Sequence, residues 1–195
     1  MFAHFIEDEA RVLLRSAGIA DDAPFRMQDL VRAHLGPDGI RFVPVRAIPS
    51  EGALARVHGD WKIYLRKGLS HEETRFVLGH ELAHWALGLD SSSQENEDTC
   101  DSLAAALVAP RNAFARALRE TGRLSYTRLA RWFVTTESCA ALRFGEVTDT
   151  PLALVAPGRT RIRGAEFEWP GGWSGPGIKR AKLKDDARRI AVRGI

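Results

Sequence analysis

The chain has 195 residues, 45% of them apolar, with a formal net charge of +3 and two cysteines, Cys100 and Cys139. That fits one cored domain, or one domain with a small appendage; no run of 18 apolar residues occurs, so no membrane span is expected, and two cysteines argue against a disulfide framework. The charge is uneven: residues 159–195 hold ten Lys/Arg against four Asp/Glu, whereas residues 1–158 hold 18 against 21. The N-terminal stretch "MFAHFIEDEARVLLRSAG" carries acids where an export signal needs basic residues. It reads as an amphipathic helix over 5–17 that stops at Gly18, in a cytoplasmic protein with reduced thiols.

A second helix is expected over 24–36, with Pro24 near its start and Gly36 at its stop. Residues 40–48, 53–59 and 61–68 alternate as strands, with Gly59-Asp60 as the turn between the last two, giving a sheet of about three strands. Ser70 and Glu73 form a capping box for a helix from His71 to Leu87, ended by Gly88. Ser92 and Glu95 repeat the signature and open a helix that ends before Pro110. The next helix begins there and closes at Gly122. Residues 124–147 read as two helices around a "VTT" turn. After Pro151 a hairpin with a Pro-Gly turn is expected, then an irregular stretch with Trp169 and Trp173, then a short basic helix, "KRAKLKDDARRIAV". A solvated surface is the preferred reading of that tail over binding to nucleic acid or an acidic partner.

The chemistry lies in "GHELAHWALG", residues 79–88. On a helix, His80 and His84 stack one turn apart on one face, where their ring nitrogens can share one metal ion at about 2.0–2.1 Å. Glu81, beside them, is placed to act as a general base. A catalytic zinc needs a third protein ligand and an open position. In "ENEDTCDSLAAALVAP", Glu97 and Asp101 share a face with small alanines, which let two helices approach. Glu97 is read as the third ligand and Asp101 as the acceptor that holds a histidine's other N–H; the reverse assignment stays open. One zinc ion per chain is expected.

"FVLGHELAHWALG" followed by "ENEDTCDSLAAALVAP" resembles the ImmA/IrrE family of zinc metallopeptidases over roughly residues 40–147. That family shows H-E-x-x-H, then E-x-x-A-N, then a Phe-Ala-Ala-like run closing in Leu-Leu-Met-Pro. This chain departs from it at Cys100 for Ala, Asp101 for Asn, Leu103 for Phe and Ala109 for Met. Glu-x-x-x-Asp is also the second-helix pattern of thermolysin-like peptidases. The resemblance implies a cytoplasmic zinc endopeptidase of restricted specificity whose substrate is a helix-turn-helix transcriptional repressor, cleaved to relieve repression in a mobile element, phage or stress response.

Other readings remain beside it. Residues 124–147 have the texture of a helix-turn-helix with Arg143 on its second helix, so a DNA-binding regulator with a structural or vestigial metal site is one alternative, and a toxin-like metal hydrolase another. A packed helical pair is preferred over DNA contact. Cys100 and Cys139 read as apolar fillers. Tyr64, His71 and Tyr126 are candidates to stabilise an oxyanion. "IYL" (63–65) reads as an edge strand open to an extended substrate, or as an internal strand. The architecture expected is α+β: a small twisted sheet packed on the active-site helix and a second ligand-bearing helix, with the helical pair included in a domain over 1–147. Residues 148–195 then supply the hairpin, the Gly/Pro/Trp loop and the basic helix.

Overall fold

The computed structural model describes residues 4–20, 25–120 and 125–149 with their side chains, and the backbone alone of residues 2, 3 and 121 and of five strands beyond residue 150. The turn at Pro157-Gly158, both tryptophans of the Gly/Pro stretch, Pro24 and Gly122 lie outside the described residues. The architecture is α+β. The chain divides into two units, Met1–Ala140 and Ala141–Ile195.

In the first unit, α1 (Phe2–Ser16) buries Ile6, Ala10, Leu13 and Leu14 at helical spacing, and the chain leaves it through Gly18 at φ 71°. α2 (Met27–Leu35) buries Met27, Leu30 and Val31 and stops at Gly36, at φ 83°. Three strands follow: β1 (Ile40–Val43), β2 (Gly52–Val57) and β3 (Asp60–Arg66). β1 is shorter than the expected 40–48, because Pro44 brings no N–H to continue the ladder. The hairpin turn is His58-Gly59, one residue earlier than expected. Both have positive φ (54° and 95°), as a two-residue type I′ turn requires.

The strand order is β1-β3-β2, with β1 parallel and β2 antiparallel to β3. "IYL" therefore lies at the centre of the sheet, and the edge reading of it is corrected. The parallel β1 pairing, made across an intervening strand, leaves no local mark in the sequence. β2 is the edge strand beside the next helix. Ile63 and Leu65 are fully buried on the helix-facing side of β3, and Tyr64 alternates to the other face.

α3 (His71–Leu87) starts at a complete capping box, in which Ser70 Oγ accepts from the Glu73 N–H and the Glu73 carboxylate accepts from the Ser70 N–H. It ends at Gly88 in the left-handed region, at φ 63°. α4 (Gln94–Val108) is capped by Ser93, not Ser92. Ser92 is occupied by the turn before it, where its N–H and hydroxyl both donate to the Asp90 carboxylate. α4 is the core helix: residues 103–109 are all buried. α5 (Arg111–Thr121) follows Pro110; α6 (Tyr126–Phe133), capped by Ser125, and α7 (Glu137–Thr148), which runs from the first unit into the second, flank the 134–136 turn, where Val134 takes φ 50°.

In the second unit, β4 (Leu152–Ala156), β5 (Arg159–Arg163), β6 (Phe167–Glu168), β7 (Ile178–Leu183) and β8 (Asp186–Gly194) form one sheet in the order β5-β4-β8-β7-β6. The expected basic helix over 179–192 is thus corrected: β7 and β8 pair antiparallel there. Ile190 and Val192 stand two apart and are β-branched, a pattern that suits a strand better than a helix. Among the described residues no helix is long and apolar enough to cross a membrane.

Candidate metal centre

Two small residues bring the ligand-bearing helices together. A Cβ built on Gly79 of α3 would stand 3.4 Å from both Cα and Cβ of Ala104 on α4, so the helices cross almost backbone to backbone. Ala104 lies one turn beyond Asp101, and Glu97 one turn before it. The face that makes the crossing therefore also carries the two carboxylates.

The result is a converging cluster. His80 Nε2 and His84 Nε2 are 3.0 Å apart. Glu97 places Oε2 3.3 Å from the first and Oε1 3.5 Å from the second. His80, His84 and Glu97 form a group able to hold a metal ion. Asp101 Oδ1 is 2.7 Å from His80 Nδ1, and the Leu89 carbonyl oxygen is 2.9 Å from His84 Nδ1. A carbonyl, like an ionised carboxylate, only accepts, so both rings donate from Nδ1 and, when neutral, present a lone pair at Nε2.

Three acceptor groups then face one another, and neutral rings supply no proton between them. A cation resolves this. Tetrahedral ligands at about 2.0–2.1 Å from zinc stand about 3.3–3.4 Å from each other. The three separations measured here bracket that value, so the donor set fits zinc in chemistry and in spacing. Of the two carboxylates, Glu97 lies with the ring Nε2 atoms and Asp101 behind His80.

Glu81 is 7% exposed. Burial above all, with the charge of Glu97, pushes its carboxyl above the usual carboxylate range; His80, His84 and the N–H of Leu54, from which it accepts a hydrogen bond, pull the other way. The Leu54 amide reaches Glu81 because β2 runs directly over it. A Cβ on Gly52 would stand 2.4 Å from Val77 Cγ1 and 2.9 Å from Glu81 Oε1. Only glycine lets the strand lie so close. Glu51 accepts from the Arg66 N–H at 2.9 Å, so residues 53, 55 and 57 bond to β3, and the main-chain groups of Gly52, Leu54 and Arg56 face the free edge.

The sequence reading missed three contributors: Gly52, the Leu54 amide and the Leu89 carbonyl. A glycine at the head of a strand was a usable signal of close approach. The other two are backbone groups that residue type does not reveal. Cys100 is buried beside the cluster without joining it. Burial first, then Glu97 and Glu81, push its thiol up to about 12, which keeps it protonated. Of the oxyanion candidates, Tyr64 is on the sheet face away from α3, and His71 is exposed at the far end of that helix. Tyr126 opens α6 half-buried, its hydroxyl pKa raised by that burial. Arg143 is fully buried on α7 and donates to Glu146 at 3.1 Å, which does not suit the DNA contact considered for it.

The Peptidase M78 family model, described as the IrrE N-terminal-like domain, matches residues 39–144. The chain belongs to this family. The IrrE N-terminal-like match spans all three strands of the first sheet, α3, α4 and the helical pair as far as α7, so it contains the whole cluster. It supports a metallopeptidase-type domain. No curated protein matches the chain. A Mycobacterium tuberculosis transcriptional regulator shares the fold, with a TM-score of 0.53 at 18% identity over 73% of this chain. The IrrE-like chain spans about half of that regulator, 47% of its length.

Proposed function

We propose that this IrrE-like protein is a cytoplasmic zinc endopeptidase of restricted specificity. The observation that carries the reading is the convergence of His80, His84 and Glu97 with the buried carboxylate of Glu81 alongside. In this assignment the two histidines and Glu97 hold one zinc ion, Asp101 fixes the His80 tautomer, and Leu89 fixes that of His84. Zinc in that position would supply Lewis acidity, polarising a carbonyl oxygen and making water acidic enough to ionise near neutral pH.

The chain's own groups do the rest. On the free edge of β2 the Leu54 N–H is taken by Glu81 and the Gly52 carbonyl by the Ser50 hydroxyl, so the Leu54 carbonyl and the main-chain groups of Arg56 would pair with an extended peptide lying over α3 as an added strand. Glu81 takes the proton of the attacking water on its carboxylate and passes it to the leaving amide nitrogen. Its raised pKa suits a group that must hold a proton between those two steps.

The substrate we infer is a helix-turn-helix transcriptional repressor. Support comes from the resemblance of the paired helix motifs to repressor-cleaving peptidases. The fold neighbour, itself called a transcriptional regulator, keeps alive the alternative of a regulator with a structural metal site.

Purified protein analysed for metal and incubated with a repressor encoded beside its gene tests the proposal. Glu81→Gln is expected to retain about one zinc per chain and to lose cleavage by two or more orders of magnitude. Cleavage by the glutamine variant at the wild-type rate would refute the mechanism. Stoichiometric zinc with no cleavage of any repressor by the wild type would favour the regulator.

A further inference from the structure

The second unit carries most of the chain's excess positive charge, and its strand register sorts that charge by face. Partners across a ladder share a face, and residues along a strand alternate. β5 pairs with β4 as Leu152 with Arg163, Leu154 with Arg161 and Ala156 with Arg159. β4 pairs with β8 as Leu154 with Arg193. β8 pairs with β7 as Arg193 with Ile178, Ala191 with Arg180 and Arg189 with Lys182. One face therefore holds Arg159, Arg161, Arg163, Arg180, Lys182, Arg189 and Arg193, together with Leu152, Leu154 and Ala156 of β4, Ile178 and Ala191. A single strand acid shares it, Glu168 of β6, at the register position of Lys182. The other face holds Ala153, Val155, Ile162, Ala181, Ile190 and Val192, with Lys179 the one strand cation that the register places on it; Arg188 falls in the irregularity opposite Lys182 and Leu183.

Seven cations and one acid on one sheet face cannot be covered by an apolar layer. Each unpaired charge taken from water costs far more than its packing returns. The face needs water or anions, and six of its seven cations are arginines, whose guanidinium matches phosphate with two parallel hydrogen bonds. Among the described strand residues no aromatic shares it, so those strands lack the stacking platform that single strands use. The cations fall in two sets, one on β5 and one on β8 and β7, with β4 between them. Neighbouring strands are about 4.8 Å apart, so β5 and β8 stand about 10 Å apart. That is close to the ~12 Å width of the duplex major groove, whose two borders are lines of phosphate. We infer that this sheet face binds the phosphate backbone of double-stranded nucleic acid without reading its sequence.

The inference does not depend on the peptidase reading, and it replaces the helical pair and the expected basic helix as the place where nucleic acid would be met. The test is fluorescence anisotropy of the full chain with a labelled 25-base-pair DNA duplex of arbitrary sequence, across a salt series. Micromolar to sub-millimolar binding at physiological salt is expected, with a slope of log K against log[salt] of about −4 to −6, for five to seven phosphates. The decisive pair of variants carries equal charge changes on opposite faces, at the consecutive β7 positions Arg180 and Lys179. Arg161→Glu with Arg180→Glu should weaken duplex binding at least tenfold and flatten the slope by about 2. Arg180→Glu alone should weaken it at least threefold, and Lys179→Glu less than twofold.

Equal losses in Lys179→Glu and Arg180→Glu would overturn the face assignment. So would a wild type that ignores the duplex, or one that binds anionic phosphatidylserine vesicles or the matching single strand more tightly than the duplex. Circular dichroism of each variant checks folding. If the first fails to fold, Arg161→Gln with Arg180→Gln removes the same charges more gently, and the same tenfold loss is expected.

Discussion

Two walls enclose the metal centre, and they contribute in opposite currencies. The α4 wall acts through side chains: Glu97 joins the two histidine Nε2 atoms, and Asp101 holds the far side of the His80 ring. The β2 wall contributes no functional side chain. It acts by the absence of one at Gly52 and by the amide of Leu54, both applied to Glu81. In the proposed assignment one wall holds a metal and the other holds a base. If that division is right, damage to each should appear in a different measurement.

The largest effect belongs to the α4 wall. Glu97→Ala removes one of three ligands and should weaken zinc binding by well over 100-fold, beyond the loss typical for a supporting residue; competition with a chelator of known affinity measures it. Gly52→Ala comes next and should separate the walls most cleanly. The added methyl meets Val77 and Glu81 at 2.4 Å and 2.9 Å, so the strand or the carboxylate must shift. A displacement near 1 Å at a reacting group costs about 100-fold in rate, whereas zinc content should stay at the wild-type level. Adding Val77→Ala relieves only the shorter contact, so it should restore thermal stability more than rate. Loss of zinc in Gly52→Ala would collapse the distinction. Asp101→Ala, back on α4, should weaken zinc binding about 10- to 100-fold, and Asp101→Asn less, because its side-chain carbonyl still accepts from His80 Nδ1.

How far the sequence foretold this differs between the same two walls. Ser70 with Glu73, and Gly88, mark both ends of α3 by local chemistry, and the i, i+4 spacing of His80 with His84 and of Glu97 with Asp101 follows from helix geometry alone. The α4 wall was therefore readable, apart from a cap displaced by one serine that an Asx turn had already engaged. The β2 wall was not. Which strand is the edge depends on β1 joining β3 in parallel across the sheet, a tertiary outcome without a local signature. Once β3 is central, the strand over Glu81 becomes β2, and its contribution is an amide that every residue but proline carries. The C-terminal strands failed for a different reason. "KRAKLKDDARRIAV" has apolar residues at spacings compatible with either period, and charge content does not decide between helix and strand.

The smallest predicted effect concerns the seam between α3 and α4. Gly88 takes φ 63°, which turns the chain so that the Leu89 carbonyl returns to His84 Nδ1 at 2.9 Å and the Leu89 N–H donates to the His84 carbonyl at 3.2 Å. An alanine there must adopt a left-handed conformation at a cost of about 1 kcal/mol, which in a chain of this size lowers Tm by about 2–4 °C. The helix can relieve the strain by unwinding its last turn, and that would move the Leu89 carbonyl, not His84 itself. Gly88→Ala should therefore show the Tm shift in metal-free protein and only a few-fold loss of zinc affinity, smaller than that of Asp101→Ala. The ordering has a physical basis. The partner of His80 is a charged group fixed on another helix, whereas that of His84 is a neutral carbonyl whose hydrogen bond is weaker and more readily replaced by water. A zinc loss in Gly88→Ala as large as in Asp101→Ala would mean that the local turn holds the ion as firmly as the α4 wall does.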